Sequence, residues 1–482
     1  MTVRKSIFIS AAQNHIGFIL QFFVSVIVAR LLSPGEIGLF SVAAVLVGFA
    51  HTLRDFGVAS YIIQEKDLTK PKIQAAMALT FLSAWGLAAV IAISSGFAAT
   101  FYREPGVRNV LLILSVNFLL IPFGSVPMAF MYRKMDFGHI AAIKLMSSLW
   151  GAVTTLWLAY HGWSYLSLAW GSLAGIMVTM VLTQVWRPAE LPMLPSTLEI
   201  KRVFSFGSLA SLIMILYDVA KSEADLIMGR ISMSMVGYFS RGLGLLGIFE
   251  SIVMRPLWDV AFPHFSSQSK NGACMKTAFL HAASMVTVVA WPFFLVMGLL
   301  ARPVLLVLYG TQWESSVTPM RLLCVGALLT APFLLSSSLM IAMGQMRQNL
   351  YQLLIRVPVL GVGVLLAAPH GLAAVGLAFV VTSFADMIFG LVQCKTVLNI
   401  SPRELFQSVW KSAEVAFAAA AIPALIFFLD QNGLAGWSLL QLQLGIVGAA
   451  TGWFLTLLLG SHPMKSELFS SVAFLRKLVS RS

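Results

Sequence analysis

Ionisable side chains set within long apolar stretches are the residues of this 482-residue chain whose types and spacing could do chemistry. Asp218, Lys221 and Asp225 stand at i, i+3 and i+7, which is one face of a helix, while Glu223 points elsewhere. Arg241 and Arg255 are nearly four turns apart and share a face of a stretch that also carries Glu250 and Asp259. Arg54–Asp55, Lys144, Arg356 and Asp386 occupy four further apolar stretches. In hydrocarbon such groups face a bundle interior or a watery cavity and mark function. Arg suits phosphate in particular, because its planar fork holds two oxygens at once. Arg54, Lys144, Lys221, Arg241, Arg255 and Arg356 are therefore candidate ligands for an anionic cargo, and Asp218, Asp225, Glu250 and Asp386 are candidate coupling or pairing acids. The plainer alternative is internal pairing that only fixes helix packing. It would join Lys221 to Asp218 or Asp225, Arg241 or Arg255 to Glu250 or Asp259, and Arg54 to Asp55.

Other constellations are thin. The first apolar segment carries Gln13, Asn14, His15 and Gln21 but no carboxylate, and His15 reads more simply as a helix-bonded or cavity-facing residue than as a proton sensor. Cys274, Cys324 and Cys394 are isolated and offer no disulfide framework or metal spacing. No metal or cofactor is called for. Neither a Walker A sequence nor a DxD is present, and no nucleophile, base and orienting group can be assembled. Prolines at 122, 127, 256, 263, 292, 332, 358 and 423 break helix bonding, and a gating bend is expected near Pro256 and Pro263.

The elements that carry these residues follow from composition. The chain is 59% hydrophobic and only 11% charged, about half the charge of a soluble domain. Apolar stretches of about 20 residues recur from end to end, each long enough to cross a bilayer. In hydrocarbon every backbone polar group must be paired within its own segment, so these are helices. The fold class is an all-α polytopic membrane protein of about fourteen spans, without the alternation of a β-barrel. The net charge of +13 sits mainly in short loops on one side, twenty Lys and Arg against six on the other. That is the positive-inside pattern rather than a nucleic-acid stripe, and it places both termini in the cytoplasm. The segment after MTVRKS has no small-residue cleavage site and reads as a retained first span.

The two halves resemble each other. RLLSPGEIGLFS (30–41) matches RISMSMVGYFS (230–240), each an Arg at a helix end, a short turn, then Gly-[Leu/Tyr]-Phe-Ser. HGWSYLSLAW (161–170) matches HGLAAVGLAF (370–379) in the same register. Two six-helix copies of the same orientation are expected, as an N-lobe over 1–190 and a C-lobe over 191–400. Two extra helices and a basic cytoplasmic tail then occupy 401–482. The polar, Pro-rich stretch 187–202 links the lobes. Parallel repeats suit alternating access around a central site. Arg30 and Arg230, as repeat mates at helix ends, are expected to snorkel to the interface.

Several stretches carry a family resemblance: ARLLSPGEIGLFSVAAVL (29–46), RDFGVASYIIQ (54–64), ADLIMGRISMSMVGYFSRGLGL (224–245), RPLWDVAFPHFSSQ (255–268) and VLYGTQW (307–313). The chain resembles Wzx-type polysaccharide flippases of the multidrug/oligosaccharidyl-lipid/polysaccharide exporter superfamily, nearest the colanic-acid-exporter-like branch. The resemblance implies a transporter, not an enzyme. It implies carriage of undecaprenyl-diphosphate-linked oligosaccharide units from the cytoplasmic to the periplasmic leaflet of the bacterial inner membrane, for exopolysaccharide, capsule or O-antigen. The cations above would then receive the diphosphate and any acidic sugars. Partners would be that lipid-linked substrate, membrane lipids and polysaccharide polymerase and chain-length machinery, with no nucleic acid and a monomeric chain. One rival is a drug or metabolite exporter of the same superfamily, disfavoured because the first span lacks a carboxylate. A membrane polymerase or glycosyltransferase is disfavoured by the short outward loops. A scaffold leaves the buried cations unexplained.

Overall fold

The computed structural model describes residues 3–55, 57–192, 194–196, 217–270, 274–431 and 439–467, and no strand occurs among them. The start of the linker-borne seventh span (203–216) and the basic tail (468–482) lie outside the described residues. The first half comprises α1 (Val3–Leu31), α2 (Pro34–Asp55), α3 (Val58–Gln64), α4 (Lys70–Tyr102), α5 (Pro105–Arg133), α6 (Phe137–Tyr160), α7 (Leu166–Val185) and α8 (217–231). Next come α9 (Met233–Phe249), a π turn (Glu250–Met254), α10 (Arg255–Lys270), α11 (Met275–Leu299), α12 (Ala301–Tyr309) and α13 (Val317–Thr330). The chain closes with α14 (Ser336–Ala342), α15 (Met346–Ala367), α16 (Leu372–Val397), α17 (Pro402–Gln431) and α18 (Leu439–Leu459).

Twelve of the described helical stretches are long and apolar enough to cross a membrane. The two further spans expected from the sequence fall at α8 and at α9–α10. The latter is divided: α9 ends after 17 residues at the π turn, and Pro256 follows at once. Pro256 has no N–H to donate, so the ladder widens where that bond would form. The break therefore lies at Glu250–Met254, just ahead of Pro256. Pro263 lies inside α10.

Helix starts obey local chemistry. The sequence Ser-Pro-x-Glu occurs at 33–36 and 401–404 and builds the same cap twice. Ser33 N and Oγ donate to Glu36 Oε2 at 2.6 and 2.7 Å, and the Glu36 N–H returns to Ser33 Oγ at 3.4 Å. Ser401 and Glu404 repeat this at 2.9, 3.0 and 3.2 Å. Each is a capping box with Pro at the first helical position, where its missing N–H costs nothing.

Contacts divide the chain into two compact units, Met1–Ser240 and Arg241–Ser482, the boundary falling inside α9. In the first unit α5 is the central helix, packed by α2, α4 and α7, while α1 lies on α6. In the second, α11 packs on α17 and α13, α13 and α15 pack on α16, and α18 on α17. A core around Phe249, Phe279, Phe294, Leu339 and Leu405 fills part of this unit. Large apolar side chains stay on the outside, such as Ile93 (83% exposed) and Leu459 (84%), which suits contact with acyl chains.

Candidate functional site

Two groupings in the first unit concern the α2, α8 and α9 segment. The earlier is a close crossing of the first turns of α2 and α9. A Cβ on Gly38 would lie 1.7 Å from the Met233 carbonyl oxygen, and one on Gly237 would lie 1.9 Å from the Pro34 carbonyl oxygen. Each glycine thus packs on the carbonyl one turn before the other. These residues belong to the two matched hairpin motifs, which thus touch at equivalent positions. Only glycine allows backbones this close.

The second grouping is a cavity of about 530 Å³ between α2 and α8. Phe40, Ser41, Ala44, Val45, Gly48 and Phe49 line it from α2, and Asp218, Ser222 and Asp225 from α8. Asp218 and Asp225 share a face, as their spacing predicts. Thr52 Oγ1 donates to Asp218 Oδ2 and ties α8 to α2. Asp225 Oδ1 is buried with no hydrogen-bond partner. Lys221 is exposed and pairs with neither aspartate.

The remaining candidates of the first unit are scattered. Arg54 is half-buried at the end of α2, where an Nη lies 3.4 Å from His51 Nδ1. Asp55's side chain is outside the described residues. Lys144 is exposed, with its Nζ 5.5 Å above the Tyr132 ring. His15 is exposed on α1.

In the second unit Arg356 and Asp386 come together, a pairing between α15 and α16 that spacing could not show. Arg356 Nη1 lies 3.6 Å from Asp386 Oδ2, and Gln352 Nε2 donates to Asp386 Oδ1 at 3.3 Å. Gln352 stands one turn before Arg356, so helical spacing could have flagged it once Asp386 was known to be opposite. Arg241 is half-buried, its guanidinium centred 5.7 Å from both the Tyr309 and Trp313 rings. Two stretches that carry the family resemblance, around Arg241 and at 307–313, therefore meet in a cation–π cluster. Arg255 is exposed, Glu250 is half-buried in the π turn, and neither forms a salt bridge among the described residues. No group of three or more His, Cys, Asp or Glu able to hold a metal ion occurs among the described residues.

A buried polar knot closes the end of α18. His462, 3% exposed, accepts from the Met464 N–H at Nδ1 (3.0 Å). Its Nε2 lies 3.1 Å from both Ser284 Oγ and Ser412 Oγ. With Nδ1 accepting, the imidazole is the Nε2–H tautomer. Burial, helped by the nearby Lys411 and His281, pushes the His462 pKa down to about 4.

The all-helical polytopic chain, with ionisable groups set inside its bundles, is a membrane transporter, as the names of its relatives indicate. Residues 27–318 match the polysaccharide biosynthesis protein family, and the chain belongs to that family. It is similar to the lipopolysaccharide biosynthesis protein WzxC of Escherichia coli, 24% identical over 80% of this chain and 79% of that one. The succinoglycan biosynthesis transport protein ExoT of Rhizobium meliloti is 26% identical over 69% of this chain and 67% of its own. Among solved structures, the lipid II flippase MurJ in an inward closed conformation shares the fold with a TM-score of 0.76, covering 98% of this chain and 100% of that one at 11% identity. An inward-facing multidrug resistance transporter of the MOP superfamily gives 0.64 over 80% and 94% at 14% identity. The resemblance to Wzx-type exporters and the all-helical polytopic fold are thereby borne out, in an integral inner-membrane protein.

Proposed function

We propose that this protein flips undecaprenyl-diphosphate-linked oligosaccharide units from the cytoplasmic to the periplasmic leaflet, for assembly of a surface polysaccharide. The family match over residues 27–318 carries this reading, joined by relatives whose names concern lipopolysaccharide and succinoglycan. The cargo sets the chemistry. Its polyprenyl tail is at home in lipid, whereas its diphosphate and sugars need polar partners throughout the crossing. Arg54, Lys144, Lys221, Arg241, Arg255 and Arg356 are the cations proposed to receive the diphosphate at successive stages. Of these, Lys221 and Arg255 are exposed and carry no salt bridge among the described residues, which leaves their charge available to a phosphate. Arg241 and Arg356, already held by aromatic rings and by Asp386, are better placed to position helices.

Alternating access by two lobes, 1–190 and 191–400 with helices 401–482 added, is part of the same proposal, as are cytoplasmic termini and a monomeric chain that hands its cargo to a polymerase. The meeting of the repeat motifs at Gly38 and Gly237 supports it, since a contact between equivalent positions is one that rocking lobes can make and break. The test is a deletion strain whose lipid-linked intermediates are extracted and assigned to a leaflet. Accumulation facing the cytoplasm, cleared by restoring the gene, is the expected result. Intermediates that reach the periplasmic leaflet but stay unpolymerised would point to a polymerase instead. Lys221→Ala and Arg255→Ala are expected to impair export with membrane insertion intact, and normal export by both would refute the cationic site.

A further inference from the structure

A second and larger cavity of the first unit, about 880 Å³, lies between α4, α5 and the stretch that follows α7. Phe81, Trp85 and Gly86 line it from α4, Phe123 and Pro127 from α5, and Leu191 and Leu194 from that stretch. It opens onto the outer, apolar surface of the helices, where Leu82 is 61% and Leu194 73% exposed. Its inner end holds free space, since a Cβ on Gly86 would meet nothing within 4 Å. Trp85 Nε1 donates to the Leu119 carbonyl at 3.2 Å, so the indole there needs no water. From Met77 to Gly86 the groove follows α4 for about 13 Å, close to the ~15 Å of hydrocarbon in one leaflet.

Polar groups gather at the opposite end. Pro127 has no N–H, so the Phe123 carbonyl lacks its helical donor, and Gln184 Nε2 supplies one at 2.5 Å. Gln184 Oε1 accepts from Arg187 Nη1 at 3.1 Å, and Arg187 Nη2 donates to the Pro192 carbonyl at 2.5 Å. This chain of bonds fixes the guanidinium in the cavity wall and uses two of its five N–H groups. Lys70 is exposed and shares a face of α4 with Gln74, Phe81 and Trp85, at i, i+4, i+11 and i+15. Glu65 and Glu190, the acids beside this end, are taken by Lys72 and Lys134. Arg187 and Lys70 pair with no acid among the described residues.

We propose that this groove binds one anionic phospholipid, its acyl chain along Phe81, Trp85 and Phe123 and its phosphate on Arg187 and Lys70. An acyl chain gains little by leaving the bilayer for an apolar groove, because it exchanges one hydrocarbon surface for another. Selectivity therefore rests on the headgroup. A guanidinium fork suits phosphate oxygens, whereas a zwitterionic headgroup brings a cation of its own that Arg187 and Lys70 repel. The bound chain would also complete a wall. The Ser196 N–H donates to the Gln74 carbonyl and Gln74 Nε2 to the Leu194 carbonyl, each at 3.1 Å, which straps the stretch after α7 onto the start of α4. With the groove filled, Leu191 and Leu194 of that strap pack on an acyl chain. The site is separate from the cations proposed for the cargo and does not depend on the flippase reading.

The test uses the full-length protein in phosphatidylcholine vesicles that contain a trace of phosphatidylglycerol with a diazirine on its acyl chain. Phosphatidylcholine carrying the same diazirine is the comparison probe, and mass spectrometry places the adducts after irradiation. Labelling over residues 77–86 and 122–127 should be several-fold stronger with the phosphatidylglycerol probe. Arg187→Gln should bring it down to the phosphatidylcholine level and leave labelling by phosphatidylcholine as it was, while Arg187→Lys should keep most of the preference. Gly86→Trp, which fills the inner end, should lower labelling of the groove by both probes but not labelling around the lipid-facing Ile93 and Leu459. Equal labelling by the two probes in the parent, or groove labelling that Gly86→Trp leaves unaltered, would overturn the site. Competition by undecaprenyl phosphate but not by excess unlabelled phosphatidylglycerol would assign the groove to a polyprenyl chain and overturn the phospholipid. No cargo is present in these vesicles, so failure here would leave the flippase reading untouched.

Discussion

Replacing Gly237 by Ala is the sharpest probe of the contact between the repeat motifs. The added Cβ would sit 1.9 Å from the Pro34 carbonyl oxygen and 2.7 Å from its carbon. A carbon rests about 3.3 Å or more from a carbonyl oxygen, so α2 and α9 must part by more than ~1 Å at their first turns. The clashing atoms are backbone, which cannot rotate away. Overpacking of this kind costs about 1–3 kcal/mol, and the upper end applies here. Since each 1.4 kcal/mol is tenfold, the arrangement with α2 and α9 touching should lose roughly a hundredfold in population. The readout is a disulfide cross-link between Gly35→Cys and Ser234→Cys, placed where a Cβ on Gly35 lies 3.2 Å from Ser234 Oγ. In membranes the cross-link should form in the parent and nearly vanish with Gly237→Ala, and export should fall with it. Gly244→Ala, whose Cβ meets nothing within 4 Å on the same helix, should leave both unchanged. Parent-level cross-linking and export in Gly237→Ala would refute the reasoning.

The pair between α15 and α16 predicts that Arg356→Ala lowers thermal stability in detergent by about 1–2 kcal/mol, because Asp386 is left short of a partner. Adding Asp386→Asn should recover part of that loss, and strictly additive losses would show that the two do not interact. His462 gives a pH dependence with a definite sign. Its folded pKa of about 4 lies below the unfolded 6.5, so its stabilising share is whole above pH 6.5 and is lost as pH falls toward 4, by at most about 3 kcal/mol. Melting curves from pH 7 to 4 should slope accordingly in the parent, and the slope should shrink in His462→Gln. Ser33→Ala removes one side of the α2 cap and should cost about 1 kcal/mol, measured the same way, with Ser401→Ala costing a similar amount if the two caps are equivalent.

The membrane class, the helical fold and most span positions were legible in the sequence because hydrocarbon imposes them. A stretch of about 20 apolar residues has one way to satisfy its backbone, and that constraint needs no partner. The Ser-Pro-x-Glu caps were equally local, closing within three residues. The matched hairpin motifs could be read as a repeat, yet nothing in them says that Gly38 and Gly237 meet through each other's carbonyls. The same holds for the charges. Helical spacing put Asp218 and Asp225 on one face, but whether Lys221 or Thr52 would answer Asp218 depended on which face α2 turned toward α8. Asp386 found Arg356, 30 residues away in the chain, and Arg241 found two aromatic rings. An ion pair or a buried void is decided by the approach of two elements distant in sequence. Periodicity along one chain segment carries no information about the segment opposite, and that part only the tertiary structure could supply.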